Sequence, residues 1–442
     1  MSFTIQARQS PKRLEIQFND ALSSLNNPTG SLINLGFTHD GTVSFILTGN
    51  GSSSSPFLST NPPTAWMQAT LPTISPLSLS KLCMPGSHDA GMSEFTGAYG
   101  GLPHNTITQS VPLYNQLLNG ARYFDIRPIN HAKGFRSGHF TKTATGAMGA
   151  TGRSIDNIVK DINKFNQEFP GELILLDINH DMNGKDKYTP FGDGTWQELY
   201  RVLNQIEDLW VAPPTELLSD LTAVPLSTFI TPGSKSAVLL RLPDEAPVPD
   251  TGISNTMRKP RKRHIDVVNS DLSVDATDLS LDVDSADLAL STPKPALPPV
   301  HPLRASAYIP AQRLYVYGLW SNTQSTSSLS SDQLQKLATR EPDEIFRSTW
   351  TITQDWRWVL DVANKETSIV AKAREAWRTL FGPGGLWGGI AVKGDVGEGG
   401  MGMGRGGKEG ILPNVVEVDD FRRGDVTGLC LAVNWWWAGA GG

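Results

Sequence analysis

The amino-acid sequence predicts an α/β protein built on a TIM-type (β/α)8 barrel, regular or distorted, that follows a small β-rich N-terminal region. Strand-like and helix-like segments alternate from about residue 76 onward, which is typical of parallel β/α architecture. The strand-like segments include continuous apolar runs such as ELILLDIN, typical of strands buried on both faces. Polar, chemically active residues follow several of these runs, at the strand ends where barrel enzymes carry their active sites.

The length and the composition suit one large barrel with a smaller appendage. The chain has 442 residues, of which 39% are hydrophobic and 19% are charged. We expect a β-rich region over residues 1–75, because short polar-apolar alternations are broken there by Gly, Ser, Asn and Pro. The barrel is expected over residues 76–442. A disordered insertion at about 244–302 interrupts it, since this stretch lacks aromatic residues and is bounded by proline-rich segments.

Periodicity predicts the main elements of the barrel. Ser154 is expected to open a helix whose apolar residues are spaced by three and four. A second helix is expected to begin at Thr195, with Glu198 completing a capping box. A third helix is predicted near 364–381. The remaining apolar runs are interpreted as strands: AVLLRL, RLYVYGLW, NVVEVDDF and TGLCLAVN.

Charge and cysteine content exclude several classes of protein. The net charge of −6 argues against nucleic acid as a partner, since a nucleic-acid-binding surface is basic. Two cysteines, Cys83 and Cys430, are too few for a disulfide scaffold or a cysteine metal site, and we expect buried free thiols. We see no signal peptide and no apolar stretch of about 20 residues that could span a bilayer. A cytoplasmic location is the default expectation, with peripheral membrane contact as an addition.

Four motifs contain residues suited to catalysis, and they follow one another along the chain. MPGSHDAG follows a strand directly, and QLLNGARYFDIR runs from a helix end through a turn into a second strand. SGHF and ELILLDINHD come next. The alternation of a strand places Asp125 and Arg127 on the same side of the sheet.

These motifs resemble the phosphatidylinositol-specific phospholipase C X-domain-like superfamily, and particularly its fungal phosphodiesterase-like members. The resemblance covers about residues 76–242 and the segment PNVVEVDDF. It implies cleavage of a phosphodiester by the neighbouring hydroxyl of the headgroup, giving a cyclic phosphate. His88 matches the general base, His139 the general acid and Arg127 a phosphate-binding residue. Asp89 and Asp125 would support the histidines. The expected substrate-binding residues are Arg241, Asp177, Asn179 and His180.

Arg127 also bears on metal dependence. The eukaryotic members of the superfamily carry a carboxylate of a calcium site at this point, whereas the metal-independent bacterial members carry arginine. We therefore expect no cofactor. The alternative is a divalent cation such as calcium or magnesium, collected by Asp89, Asp125, Asp177 and Asp181.

The expected partner is a phospholipid or its phosphorylated headgroup, with transient contact to the membrane surface. Two other functions stay open: a metal-dependent glycerophosphodiesterase or sphingomyelinase-D-like enzyme, and an inactive headgroup-binding protein. GMGRGGK is spaced like a phosphate loop, but Glu409 follows it where Ser or Thr would bind magnesium. Trp435, Trp436 and Trp437 suit either a membrane interface or packing at the barrel floor.

Overall fold

A computed structural model describes most of the barrel and five short N-terminal strands. The described residues are 6–10, 13–17, 32–33, 47–48, 58–59, 62–143, 146–186, 188–213, 220–247, 249, 302–341, 343–354, 357, 361, 364–381, 384–386 and 412–440. Most of the predicted insertion and the whole GMGRGGK segment therefore lie outside them.

The N-terminal strands pair among themselves in antiparallel fashion. They are β1 (Gln6–Ser10), β2 (Arg13–Gln17), β3 (Leu32–Ile33), β4 (Leu47–Thr48) and β5 (Leu58–Ser59). β1, β2 and β3 form one sheet and β4 pairs with β5. The division of the chain into a β-rich region and a barrel domain stays a prediction.

Thirteen further strands of the described residues build two sheets. They are β6 (Met84–Ser87), β7 (Gly97–Tyr99), β8 (Tyr123–Ile126), β9 (Pro128–His131), β10 (Gly134–Thr143), β11 (Gly146–Ser154), β12 (Leu173–Ile178), β13 (Met182–Asn183), β14 (Ala237–Leu242), β15 (Tyr308–Pro310), β16 (Val316–Tyr317), β17 (Ile345–Trp350) and β18 (Val415–Val418).

Eight of these strands form a parallel sheet in barrel order. The order is β15-β14-β12-β8-β6-β18-β17-β16, so sequence neighbours lie side by side around the sheet. β6 and β18, the first and last barrel strands, pair with each other, which curls the sheet. β15 and β16 end the sheet without pairing to each other within the described residues. The predicted barrel is confirmed, in its distorted form.

The second sheet has five strands, and it positions one predicted catalytic residue. Its order is β13-β9-β10-β11-β7. β10 and β11 form a long antiparallel hairpin in which His139 lies opposite Ala150. β9 follows β8 after a single residue, Arg127, so the second sheet begins where a barrel strand ends.

Helices surround the parallel sheet. They are α1 (Trp66–Ile74), α2 (Pro103–Thr106), α3 (Leu113–Leu118), α4 (Ile155–Glu168), α5 (Asp193–Leu203), α6 (Pro302–Ala305), α7 (Thr326–Ala338), α8 (Ile369–Phe381) and α9 (Asp425–Ala440). α4 confirms the expected helix after Ser154, whose hydroxyl accepts a hydrogen bond from Asn157 N at 3.2 Å. None of the helices in the described part of the chain is long and apolar enough to cross a bilayer.

The C-terminal segment corrects one prediction. TGLCLAVN lies within helix α9 and is not a closing strand. Leu429, Cys430 and Val433 are all fully buried, and a short apolar run of this kind cannot be assigned to strand or helix by periodicity. The Asn434 side chain joins α9 to β6 by accepting a hydrogen bond from Cys83 N at 2.6 Å and donating one to Cys83 O at 2.9 Å.

Three smaller predictions also need correction. Helix α5 begins at Asp193 after the N-cap Gly192, so Thr195 does not open a capping box. Only Val316–Tyr317 is a strand within the segment 313–320. The helix predicted near 364–381 starts at Ile369, after a 3-10 turn. The predicted burial of both cysteines as free thiols is confirmed.

Candidate active site

A cleft of about 690 Å³ opens at the carboxyl ends of the parallel strands. The predicted site residues that line it come from four consecutive barrel strands and the β10–β11 hairpin. They are His88, Asp125, Arg127, His139, Asp177, Asn179, His180 and Arg241. Asp89 is fully buried just behind them. The structure therefore brings all nine predicted residues into one site.

His88 follows β6 and lies between a carboxylate and a guanidinium. Its Nδ1 is 2.7 Å from Asp419 Oδ1, and its Nε2 is 2.7 Å from Arg127 Nη2. Because an arginine can only donate, Nε2 accepts this bond and Nδ1 carries the proton that Asp419 accepts. In this tautomer Nε2 is the unprotonated nitrogen, as a general base requires, and its lone pair accepts from Arg127.

The environment of His88 raises its pKa above the ordinary value of 6.5. Burial lowers the pKa, and so does the charge of Arg127. The negative charge of Asp419, the hydrogen bond to it and the charge of Glu417 outweigh both effects. The imidazolium form is therefore stabilised once the ring has taken up a proton.

His139 has a carboxylate partner of its own. Its Nδ1 is 2.8 Å from Asp89 Oδ2, and the Asp89 backbone adopts a φ of +42°. The left-handed region is uncommon for residues other than glycine, although aspartate tolerates it better than most. The strained turn after His88 thus directs Asp89 under the hairpin.

The hairpin itself depends on Gly149, which packs against the strand that carries His139. A Cβ atom on Gly149 would lie 2.0 Å from His139 O and 2.7 Å from Phe140 Cα. Only glycine allows the two strands to approach this closely at the site. The position of His139 is therefore set by a backbone contact as well as by Asp89.

Arg127 is held by two hydrogen bonds to a single oxygen of Asp125. Asp125 Oδ2 accepts from Arg127 Nε at 2.9 Å and from Nη2 at 2.7 Å. Asn179 donates to the other oxygen of Asp125 at 2.6 Å. Burial raises the pKa of Asp125, but the charges of Arg127 and His88 lower it more, so that the net pKa is well below the ordinary value. Asp125 stays ionised and keeps Arg127 in place.

A second ionic group lines the same cleft. Asp177 Oδ1 accepts from Arg241 Nη1 at 2.6 Å, and Asp177 Oδ2 accepts a short hydrogen bond from Tyr123 Oη. Arg347 and Glu417 complete this group from β17 and β18. His180, with a φ of +49°, lines the cleft nearby. Burial and the charge of Arg127 lower the pKa of His180.

The sequence reasoning missed four residues of this site: Tyr123, Arg347, Glu417 and Asp419. Asp419 and Glu417 belong to NVVEVDDF, where the position of each residue at a strand end was the available signal. Arg347 had no motif around it in the sequence. Its position follows only from the register of β17 against β18, in which it lies opposite Val415.

The four aspartates proposed for a divalent cation each have another partner in the structure. Asp125 is bonded to Arg127, and Asp177 is bonded to Arg241. Asp89 is bonded to His139 and lies 3.6 Å from Arg127. Asp181 accepts a hydrogen bond from Phe191 N at 2.6 Å. Guanidinium groups thus pair with oxygens of Asp125 and Asp177 that could otherwise bind a cation. Among the described residues, no group of three or more potential ligands is arranged to hold a metal ion.

Comparisons with known proteins give similarities at the level of solved structures alone. No protein-family model matches the sequence, and no curated protein matches it. Similar solved structures include a mutant of phosphatidylinositol-specific phospholipase C from Staphylococcus aureus, at 14% identity and a TM-score of 0.44. This match covers 83% of the present chain and 97% of the other. Phosphatidylinositol-specific phospholipase C from Listeria monocytogenes is similar at 16% identity and a TM-score of 0.38, over 83% and 98% of the two chains. Because these values are low, the function has to be inferred from the residues of the cleft.

Proposed function

We propose that this protein is a metal-independent phosphodiesterase of the phospholipase C type, acting on a lipid whose headgroup carries a hydroxyl beside the phosphate. The observation that supports this most is the pair of histidines at the cleft. Each has its own carboxylate, at 2.7 Å for His88 and 2.8 Å for His139. Arg127 lies between them, 2.7 Å from Nε2 of His88 and 3.6 Å from Asp89, the partner of His139.

His88 would act as the general base. Its Nε2 takes the proton of the headgroup hydroxyl, whose oxygen attacks phosphorus to form a cyclic phosphate. Arg127 now donates to this Nε2, so a bound phosphate would have to draw the guanidinium away and expose the lone pair. The charge of Asp419 then stabilises the imidazolium, as the supporting carboxylate does in a catalytic triad.

His139 would act as the general acid. Its Nδ1 is occupied by Asp89, which leaves Nε2 as the nitrogen that can give a proton to the leaving oxygen of the lipid. The P–O bond to that oxygen breaks as the bond to the headgroup hydroxyl forms. Diacylglycerol leaves as a neutral alcohol, and Arg127 balances the charge on the non-bridging oxygens.

Product analysis tests this proposal. Phosphorus NMR of phosphatidylinositol vesicles treated with the purified protein should show a cyclic inositol phosphate, and EDTA should leave the rate unchanged. Loss of activity in EDTA with recovery in magnesium would favour a metal-dependent glycerophosphodiesterase. Binding of headgroups with no cyclic product would favour a protein that has lost catalysis.

The mouth of the cleft also supports contact with a membrane surface. Met148, Leu319 and Trp320 line the cleft and are 42%, 37% and 54% exposed, respectively. Exposed apolar side chains next to a site are a mark of interaction surfaces, and tryptophan favours the bilayer interface. A lipid headgroup could enter the cleft while these side chains touch the membrane.

Vesicle binding tests the membrane contact. Trp320→Ala should weaken sedimentation with phosphatidylinositol vesicles, whereas Val211→Ala should not. Val211 is a matched control, because it is 39% exposed but does not line the cleft. Equal sedimentation of both variants and the wild type would contradict a role for this rim.

A further inference from the structure

Arg347 makes the longest hydrogen-bond contacts of the three arginines that line the cleft. Arg127 and Arg241 make hydrogen bonds as short as 2.7 Å and 2.6 Å to carboxylates. The guanidinium of Arg347 lies 3.3 Å from Tyr123 Oη, 3.4 Å from Gly318 O, 3.5 Å from Asp177 Oδ2 and 3.7 Å from Glu417 Oε2. Each contact is at or beyond the long end of hydrogen bonding.

Arg347 and its neighbour Glu417 each have one buried atom that lacks a hydrogen-bond partner within the described residues. These atoms are Arg347 Nε and Glu417 Oε1. An arginine has five N–H donors, and an unmet buried donor or acceptor is costly to the fold. Unsatisfied groups of this kind are uncommon in folded proteins, and they occur where a site stores strain, takes part in catalysis or holds a water or an ion. The Arg347 side chain is 20% exposed and faces the cleft, so it has access to a ligand.

We propose that Arg347 is a headgroup-binding residue that donates hydrogen bonds to hydroxyl oxygens of a polyol headgroup, away from the phosphate that is cleaved. Glu417 is its positioning residue, on the neighbouring strand β18. This inference rests on the proposed function, because it assigns a part of the same substrate to the half of the cleft that Arg347 lines. The scissile phosphate belongs to the other half, at Arg127 and the two histidines.

The charges around Arg347 favour a hydroxyl over a second phosphate. Its guanidinium lies between the carboxylates of Asp177 and Glu417, which offset its positive charge. A second phosphate would be a monoester with nearly two negative charges, unlike the singly charged diester at Arg127, and both carboxylates would repel it more strongly. A neutral hydroxyl oxygen accepts from the guanidinium without that repulsion.

Binding of small phosphate esters tests the inference without requiring turnover. Isothermal titration calorimetry would compare myo-inositol 1-phosphate with glycerol 3-phosphate, for wild type, Arg347→Met and Arg347→Lys. Arg347→Met should weaken binding of the inositol ester about 10-fold or more, the usual effect of losing hydrogen bonds to a charged group. Binding of the glycerol ester should stay within about twofold, because that ester carries fewer hydroxyls to reach Arg347. Arg347→Lys should recover part of the loss.

Arg153→Met is the matched control for these titrations. Arg153 is 16% exposed, close to the 20% of Arg347, and it also lies beside carboxylates, but it does not line the cleft. It should bind both esters like the wild type. Thermal melting of every variant establishes that the fold is retained before binding is compared.

Three outcomes would overturn the inference. Equal weakening of both esters in Arg347→Met would place Arg347 at the shared phosphate, and unchanged binding of both would remove it from the site. If Arg347→Met weakened binding of myo-inositol 1,4-bisphosphate far more than binding of the monophosphate, Arg347 would contact a phosphate and not a hydroxyl. Failure of the wild type to bind any of the esters would instead contradict the proposed function itself.

Discussion

At the scale of single residues, the proposed chemistry depends on the pairing of each histidine with its own carboxylate. Asp419 bonds the Nδ1 of His88, and Asp89 bonds the Nδ1 of His139. Nε2 is therefore the catalytic nitrogen of both rings, and that of His88 becomes available once Arg127 has moved to the phosphate. The two proton-transfer roles can differ although the residue type is the same, because the surrounding charges differ.

The first prediction concerns Asp419 and the pH dependence of the reaction. A base works only in its neutral form, so the rate should fall as the pH drops below the pKa of His88, which lies above 6.5. In Asp419→Asn the influence of burial and Arg127 prevails, and both lower that pKa. The acid limb of kcat/KM should therefore move to lower pH, with a smaller maximal rate.

The pH-rate profiles of wild type, Asp419→Asn and Asp419→Glu measure this shift. Asp419→Glu keeps the charge and serves as the control. An acid limb at the same pH in Asp419→Asn as in the wild type would contradict the assigned role of Asp419.

The raised pKa of His88 also affects the stability of the protein. A histidine whose pKa is raised by folding stabilises the folded state below pH 6.5, and this stability is lost as the pH rises through the raised pKa.

Sequence motifs located the residues that lie close to each other along strand ends. His88 and Asp89 follow one strand, and Asp125 and Arg127 end the next, so the carboxyl edge of a parallel sheet brings them together. Asp419 lies 331 positions from its partner His88. Its pairing follows from closure of β18 onto β6, which local sequence patterns do not specify.

At the scale of elements, the β10–β11 hairpin positions His139 at the cleft of the barrel. Gly149 permits the close approach of its two strands. We expect Gly149→Ala to force the strands apart at His139 and to lower kcat by about 10- to 100-fold, since a displacement of about 1 Å can cost that much. Steady-state kinetics on phosphatidylinositol measure the effect.

Gly194→Ala is the control for this substitution. Gly194 lies in α5, and an added Cβ there meets nothing within 4 Å. This variant should keep the wild-type kcat and a stability equal to or slightly above that of the wild type. A wild-type kcat in Gly149→Ala would show that the spacing of the hairpin does not set the position of His139.

Elements with one apolar face were predictable, whereas the largely buried helix α9 was not. Helix α4 has a clear apolar stripe and a serine cap. Helix α9 is apolar on nearly all sides because it packs beneath the barrel. A run of that kind carries no periodic contrast between a core face and a solvent face.

At the scale of the whole molecule, a buried ion pair connects α1 to the amino ends of two barrel strands. Arg122 and Glu172 are both fully buried, and Arg122 Nη2 lies 2.8 Å from Glu172 Oε2. Glu172 also accepts from Met67 N and Gln68 N at the start of α1. Arg122 Nη2 donates to Thr64 O at 2.6 Å. The pair therefore connects two barrel strands with the helix that precedes them.

Glu172→Gln should lower the free energy of unfolding by about 3 to 5 kcal/mol, because it leaves a buried guanidinium without its counter-charge. Denaturant unfolding measures the loss. Turnover at a temperature where the variant is folded should stay near that of the wild type, since the pair lies at the end of the barrel opposite the cleft. A loss below about 1 kcal/mol would contradict the assigned role of the pair.

The barrel as a whole was predictable from the alternation of strands and helices. The gap between β15 and β16 could not be predicted, because these two strands have only three and two residues. The predicted cytoplasmic location and the absence of a metal stay predictions. They concern conditions and ligands that the fold does not determine.

The assignment of base and acid is tested most directly by changing the leaving group of the substrate. Rates of wild type, His88→Ala and His139→Ala would be measured on phosphatidylinositol and on the p-nitrophenyl diester of myo-inositol 1-phosphate. A nitrophenolate leaves without taking up a proton, so this diester does not need the acid. His88→Ala should lose about 10²- to 10⁴-fold on both substrates, whereas His139→Ala should lose that much on the lipid alone. Undiminished activity in His88→Ala, or equal losses on both substrates in His139→Ala, would contradict the assignment.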